Sequence, residues 1–415
     1  MASPVALKVG VIGYGGRIRG VVESLGVFGI PVAVAAICDP RAEEIRGQDG
    51  TGRLRETRFF TDPDAMLDGV CLDGVLVGTP CHLHTAMACK VARRNLPLFL
   101  EKPVAVSWEQ VAELRSAFAG VTAPVAVSFP LRLTPIVLKV KEMVESGRIG
   151  AIEHMVAWND VPYGSVYYNS WYRNYEWVQG LFLQKATHDL DYLAFLLGQR
   201  PRWVCAMSSR RVYGGERPWD LVCEACEERE RCPESPFNLF RERFQGERVR
   251  YDAAGNHCVF SKGIQNEDSG NCLIEYENGV QASYSQNFFA RNQAGRRGAR
   301  LFGYKGTIEF DWYTNTIRVF DHRLPATETT TFAGHMPHFG GDRELAFDFL
   351  MAMRERRPTR TGIEAGIVSA MTCLAARDSA ETRRFVEIGD GRVGPVAARP
   401  ADGGGAGAAQ AEPAR

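Results

Sequence analysis

The sequence predicts an α/β chain: a doubly wound parallel sheet, then an α+β domain with a mainly antiparallel sheet. Three observations carry this. Short apolar runs alternate with helical stretches up to about residue 130, the pattern of parallel strands covered on both faces. Beyond it, 270–335 alternates residue by residue, as half-buried antiparallel strands do. Between the first run and the first helix lies a glycine-rich turn, Gly13-Tyr14-Gly15-Gly16.

The elements follow in order. Leu7–Ile12 is short and apolar, hence a buried strand. A helix is expected from Arg17 to Leu25. Further buried strands are expected over Val32–Cys38, Gly74–Gly78, Leu96–Leu100 and Pro124–Phe129, with helices over Thr85–Arg94 and Trp108–Ala119 between them. Ile136–Ser146 reads as an amphipathic helix stopped by Gly147, followed by a strand over Ile152–Trp158 and a long helix over 181–197. Strands at 272–276, 280–284, 307–310 and 316–320 then surround a hairpin turn at Asn278-Gly279. Helices near 342–356 and 363–380 follow. We divide the chain into 1–130, 131–397 with an insertion at 208–258, and a tail, 398–415, too poor in apolar residues to fold.

Composition bounds the function. Of 415 residues, 45% are hydrophobic and 24% charged, which suits an ordinary globular protein. Lys plus Arg equals Asp plus Glu at 49 each, so nothing points to nucleic acid. No apolar run reaches the ~18 residues of a membrane span. The N-terminus has no secretory signal pattern, so a cytoplasmic setting and a small-molecule substrate are expected.

The strand–turn–helix context of Gly13, Gly15 and Gly16 lets backbone approach a pyrophosphate at a helix N-terminus, with Arg17 beside it. Position 18, where a third glycine would fall, is Ile18. Asp39 ends the second strand, 26 residues after Gly13, near the ~20 expected of the acid that takes the ribose hydroxyls. Its charge repels a 2′-phosphate, so NAD is favoured over NADP, although Arg41 softens that preference.

An ordered set of motifs then resembles the Gfo/Idh/MocA oxidoreductases, relatives of glucose–fructose oxidoreductase and inositol dehydrogenase. It comprises Thr79-Pro80-x-x-x-His84, Glu101-Lys102-Pro103, Arg132-x-x-Pro135, Ser146-Gly147-Arg-Ile-Gly150 and His188-x-x-Asp191, and spans about residues 5–390. The resemblance implies an N-terminal Rossmann domain and a C-terminal domain whose open antiparallel sheet carries a sugar pocket and often an oligomer interface, as a dimer or tetramer. It implies that Thr79, Pro80, His84, Glu101 and Lys102 lie at the cofactor. It also implies that Lys102 handles the substrate oxygen or its proton, with His188 as its partner. Gln184, Lys185, His188 and Asp191 share a helical face. Most members carry Asp four residues before the His; here it is Gln184, which can orient His188 but cannot balance an imidazolium. Lys185 adds a cation and is a third catalytic candidate, with Gln184 and Asp191 as substrate contacts. Trp171, Tyr172, Arg173 and Trp177 suit either sugar stacking or a core, and Arg132, His335 and His338 are further substrate-contact candidates.

Cys223-x2-Cys226-x5-Cys232, with Cys258 or His257 as a fourth ligand, has spacing suited to a structural zinc in a reducing compartment. Three functions stay open: an NAD-dependent sugar or cyclitol dehydrogenase, an NAD-dependent glycoside hydrolase working through transient oxidation and elimination, and a non-catalytic dinucleotide-binding regulator.

Overall fold

The computed structural model describes residues 6–50, 52–239, 256–333 and 337–389. His335 and the tail at 398–415 lie outside the described residues, as do residues 240–255 of the insertion.

Six strands form the first sheet: β1 (Leu7–Ile12), β2 (Val32–Cys38), β3 (Arg58–Phe60), β4 (Gly74–Val77), β5 (Leu98–Leu100) and β6 (Val125–Val127). Their order is β3-β2-β1-β4-β5-β6 and every pairing is parallel. The order reverses at β1 and β4, so a crevice opens at the strands' C-terminal ends there. Side chains alternate across the sheet. Val9, Val11, Leu76 and Phe99 fill one apolar cluster, while Ile12, Val75, Val77, Leu98 and Leu100 fill another. Burial on both faces is why these strands read as unbroken apolar runs.

Helices α1 (Gly16–Leu25), α2 (Ala42–Gly47), α3 (Pro63–Gly69), α4 (His84–Ala92), α5 (Trp108–Phe118) and α6 (Pro135–Glu145) follow these strands. Helix α3 has its N-cap in Asp62, α5 in Ser107 and α6 in Thr134, each accepting a first-turn N–H. Helix α1 has no such cap, since its N-cap is Gly15.

The second sheet has nine strands in the order β14-β13-β12-β11-β7-β10-β9-β8-β15. They are β7 (Ile152–Asp160), β8 (Pro201–Ser209), β9 (Ser269–Tyr276), β10 (Gln281–Asn287), β11 (Arg296–Gly303), β12 (Gly306–Asp311), β13 (Thr316–Asp321), β14 (Thr327–Thr331) and β15 (Val386–Glu387). Only β7 and β10 pair in parallel. The β9–β10 hairpin turns at Gly279, whose φ of +83° requires glycine. Strands β8 and β11 were not expected. In β11, Gly298 permits contact that a side chain would block: a Cβ there would stand 1.9 Å from the Phe310 carbonyl oxygen.

The helix expected over 181–197 divides into a π-helical turn, Phe182–Ala186, and α7 (Thr187–Leu197). Helices α8 (Gly341–Glu355) and α9 (Ile363–Thr382) close the fold. Although it comes late in the chain, α8 packs on the first sheet: Leu345, Ala346, Phe349, Leu350 and Met353 join Val9, Val11, Leu76 and Phe99. The division at residue 130 therefore describes the chain order but not the packing of this helix.

Candidate active site

The turn after β1 is held by sterics. Gly13 has φ +81°, and a Cβ on it would lie 2.7 Å from the Thr79 backbone nitrogen. Gly15 and Gly16 have no atom within 4 Å of such a Cβ. Their bareness leaves space above the uncapped N–H groups of α1, as a bound pyrophosphate requires. Thr79 Oγ1, beside this turn, is buried without a hydrogen-bond partner. The residues present thus fit a dinucleotide.

At the end of β2, Asp39 accepts from the Tyr14 and Arg41 backbone N–H groups at 2.9 Å each and from Arg41 Nε at 3.2 Å. Burial pushes its pKa up, but these donors hold it below the usual range. Arg17 is a hub: its Nε donates to Glu101 at 2.9 Å, and its Nη2 meets Ser128 at 2.9 Å and Asp342 at 2.8 Å. His84 has each ring nitrogen 2.7 Å from a carbonyl oxygen, of Pro103 and of Thr79. Both nitrogens are therefore occupied, and the ring ties the turns after β4 and β5 together rather than facing a ligand.

Lys102 follows β5 and is partly buried. Its Nζ donates to Gln184 twice, to the backbone oxygen at 2.6 Å and to Oε1 at 2.9 Å. Burial lowers its pKa to about 8, and Lys185 and Arg17 push the same way. Gln184 thus holds Lys102, not His188 as expected. His188 lies edge-on to Phe129, with ring centroids 6.3 Å apart. Its Nδ1 is buried without a partner. Burial, then Lys102, Arg297, His338 and Lys185, drive its pKa well down, so it is neutral.

Lys185 donates to the Tyr163 hydroxyl at 2.6 Å, and burial lowers its pKa. Tyr163 is half exposed, and although burial raises its phenol, Lys185 and Arg297 bring it below its ordinary value. Behind this pair, Arg297 grips Asp189 at 2.7 and 3.0 Å, and Asn159 and Tyr284 donate to the same carboxylate at 2.8 and 2.9 Å. The π-helical turn is what brings Gln184 and Lys185 to the site beside His188, a use such turns often have.

Other candidates lie apart. Arg132 and Asp191 pair with each other and line a separate cleft of about 590 Å³ with Phe195, Glu364 and Thr372. Neither meets Lys102 or His188 in a hydrogen bond or ion pair. Trp171 stacks on Tyr172, with Trp177 near, against the apolar group of Cys81, Val106 and Val178. Arg173 is buried over the Trp219 ring at 3.8 Å, with no hydrogen-bond partner for its guanidinium. Tyr163, Arg297 and Asp342 were not anticipated; no local motif marks them.

Cys223, Cys226, Cys232 and Cys258 are free, partly buried thiols. Among the described residues no group of three or more His, Cys, Asp or Glu side chains is arranged to hold a metal ion. The zinc expected at these four cysteines, or with His257, therefore finds no support.

Comparison with known proteins defines the class. The NAD-binding Rossmann model of the oxidoreductase family matches residues 7–129, and the GFO/IDH/MocA C-terminal domain matches 137–309. The chain belongs to the GFO/IDH/MocA oxidoreductase family. It is 27% identical over 269 residues to the oxidoreductase YteT of Bacillus subtilis (strain 168), covering 60% of this chain and 62% of that one. It is 28% identical over 208 residues to inositol 2-dehydrogenase 2 of Saccharopolyspora erythraea, covering 50% and 58%. The chain thus spans about 60% of the length of the curated relatives it matches most strongly. A levoglucosan dehydrogenase solved with NADH and levoglucosan has the same fold, with a TM-score of 0.71 at 20% identity over 92% of this chain and all of that one. Among the described residues no helix is long and apolar enough to cross a membrane.

Proposed function

We propose that this protein is an NAD-dependent dehydrogenase acting on a secondary hydroxyl of a sugar, sugar derivative or cyclitol. One observation carries the reading: a partly buried lysine, Lys102, held at about 8, stands at a strand end beside a turn that fits a dinucleotide. A lysine with that pKa can hold the hydroxyl oxygen as an ammonium or take its proton as an amine. Relatives named for inositol and levoglucosan support the substrate class.

Gly13, Gly15 and Gly16 would admit the pyrophosphate, Arg17 and Glu101 would fix the turn around it, and Asp39 would meet the adenosine ribose. The cofactor supplies hydride acceptance at its nicotinamide. Lys102 fixes the reacting oxygen, and Gln184 fixes Lys102. His188, neutral, offers a hydrogen bond. Lys185 and Tyr163 form a second polar pair within the same site. NAD is preferred to NADP on the Asp39 charge.

We also infer a homo-oligomer, as a dimer or tetramer, and a cytoplasmic location. The outer face of the second sheet supports the oligomer, since it leaves Met207 and Leu273 68% and 58% exposed.

The test is a panel of sugars and cyclitols, including levoglucosan and inositols, followed by NADH absorbance. Stoichiometric NADH supports the dehydrogenase. Product release with no net NADH would replace it with a hydrolase.

A further inference from the structure

The site holds two imidazoles in unlike surroundings. His188 is buried among cations, and among the described residues no carboxylate is paired with it. Gln184 is committed to Lys102, and the adjacent Asp189 to Arg297. An imidazolium at His188 would have no counter-ion.

His338 is the opposite case. Its Nδ1 stands 2.7 Å from Asp342 Oδ2. The other Asp342 oxygen is 2.8 Å from Arg17, which continues to Glu101. The His338 side chain is 41% exposed, so this ring reaches solvent. Its centroid is 6.3 Å from that of His188, and no hydrogen bond joins them, a separation that a substrate hydroxyl or a water can bridge.

The backbone is strained to hold this arrangement. His338 and Phe339 have φ of 43° and 53°, left-handed values that are uncommon for His and an outlier for Phe. Phe339 stacks on Trp312 at 5.9 Å and meets Tyr313 edge-on at 6.1 Å, contacts that keep the turn in place. Strain of this kind gathers where function needs a side chain fixed.

We propose that His338, oriented by Asp342, is the proton carrier of this site, supplying the carboxylate–imidazole pair that position 184 lacks. The proposal rests on the dehydrogenase reading. The substrate O–H breaks and its electron pair completes the carbonyl. The C–H hydrogen leaves with its electron pair to the oxidised nicotinamide cofactor. The proton passes to His338 Nε2 and from there to solvent. His188 stays neutral throughout. The charged and titratable groups around this path are Asp342 against His338, Arg17 behind Asp342, and His188 with Lys102, Lys185 and Arg297 on the facing side.

His338→Asn tests it, since Asn tolerates the left-handed backbone but cannot carry the proton. Turnover should fall ~10²-fold or more, as for loss of a positioned acid or base, while NAD titration by protein fluorescence is unchanged. His338→Gly should be partly rescued by added imidazole. Asp342→Asn, which takes the orienting carboxylate from the His338 ring, should lower kcat with little change in KM. The NMR signal of the His338 ring should change in Asp342→Asn as its hydrogen bond is lost, with no turnover required. A wild-type protein that oxidises no sugar would overturn the dehydrogenase reading. Wild-type oxidation with His338→Asn at full rate, or His338→Gly impaired but not rescued and Asp342→Asn with kcat unchanged, would overturn the proton carrier alone.

Discussion

Lys102 is partly buried, and its hydrogen bonds among the described residues go to two oxygens of one residue, Gln184. An amide there accepts without adding charge, so burial keeps the ammonium near a pKa of about 8. With His338 as the proton carrier, Lys102 holds the substrate oxygen as an ammonium, so kcat/KM should fall as pH rises through about 8, and Lys102→Ala should lose ~10²–10⁴-fold in turnover while still binding NAD. Gln184→Asp would place a negative charge on the ammonium, which favours the charged form. The basic limb should then move to higher pH, read from rates over a pH series. At Asp39 the prediction concerns the cofactor. Asp39→Ser should weaken NAD and strengthen NADP, because it removes a carboxylate and releases Arg41; affinities that stay unchanged for both would remove Asp39 from the site. Of these residues, Lys102 and Asp39 drew attention because each follows or closes an apolar run, whereas Gln184, inside the expected helix, was expected to meet His188 and instead holds Lys102. Tyr163, Arg297 and Asp342 drew none, since they reach the site from separate strands and helices whose meeting no local spacing records.

Among the elements, the π-helical turn at Phe182–Ala186 matters most. One extra residue per turn rotates the following face by about 100° relative to an α-helix. Deleting Ala186 should restore α-helical spacing and swing Gln184 and Lys185 away from Lys102 and Tyr163. Circular dichroism should keep its helical signal while turnover falls; full activity would show that the turn does not position these groups. A helix was readable here from its apolar spacing, but the turn was not, because five residues leave no period to detect. Strands β1 and β2 were readable since both faces are buried. Strands β8 and β11 were missed because charged residues interrupt their apolar alternation, Arg202 in β8 and Arg296, Arg297 and Arg300 in β11. Asp191 was assigned to the site by its helical face, yet Arg132 turns it toward another cleft.

At the scale of the molecule the two sheets share a core. Val75 and Leu100 of the first lie in one apolar cluster with Leu190 of α7, Ile274 of β9 and Leu374 of α9. A shared core predicts one cooperative unfolding transition. NAD at a hundredfold excess over its Kd should add about 2.7 kcal/mol to it, seen by calorimetry as a single peak moved upward; two peaks, only one of them moved, would mean that the sheets unfold separately. The two-layer plan was legible in the change of pattern near residue 130. The return of α8 was not, because an amphipathic helix does not say which sheet it covers. That return has a consequence for heredity. A recombination joint near residue 130 would give the first sheet a foreign α8, with new side chains where Leu345, Phe349 and Met353 meet Val9, Val11 and Phe99. It would also separate Arg17 from Asp342. The cofactor-binding segment is therefore not a freely exchangeable cassette, and an inherited change on either side of that seam constrains what the other side can tolerate.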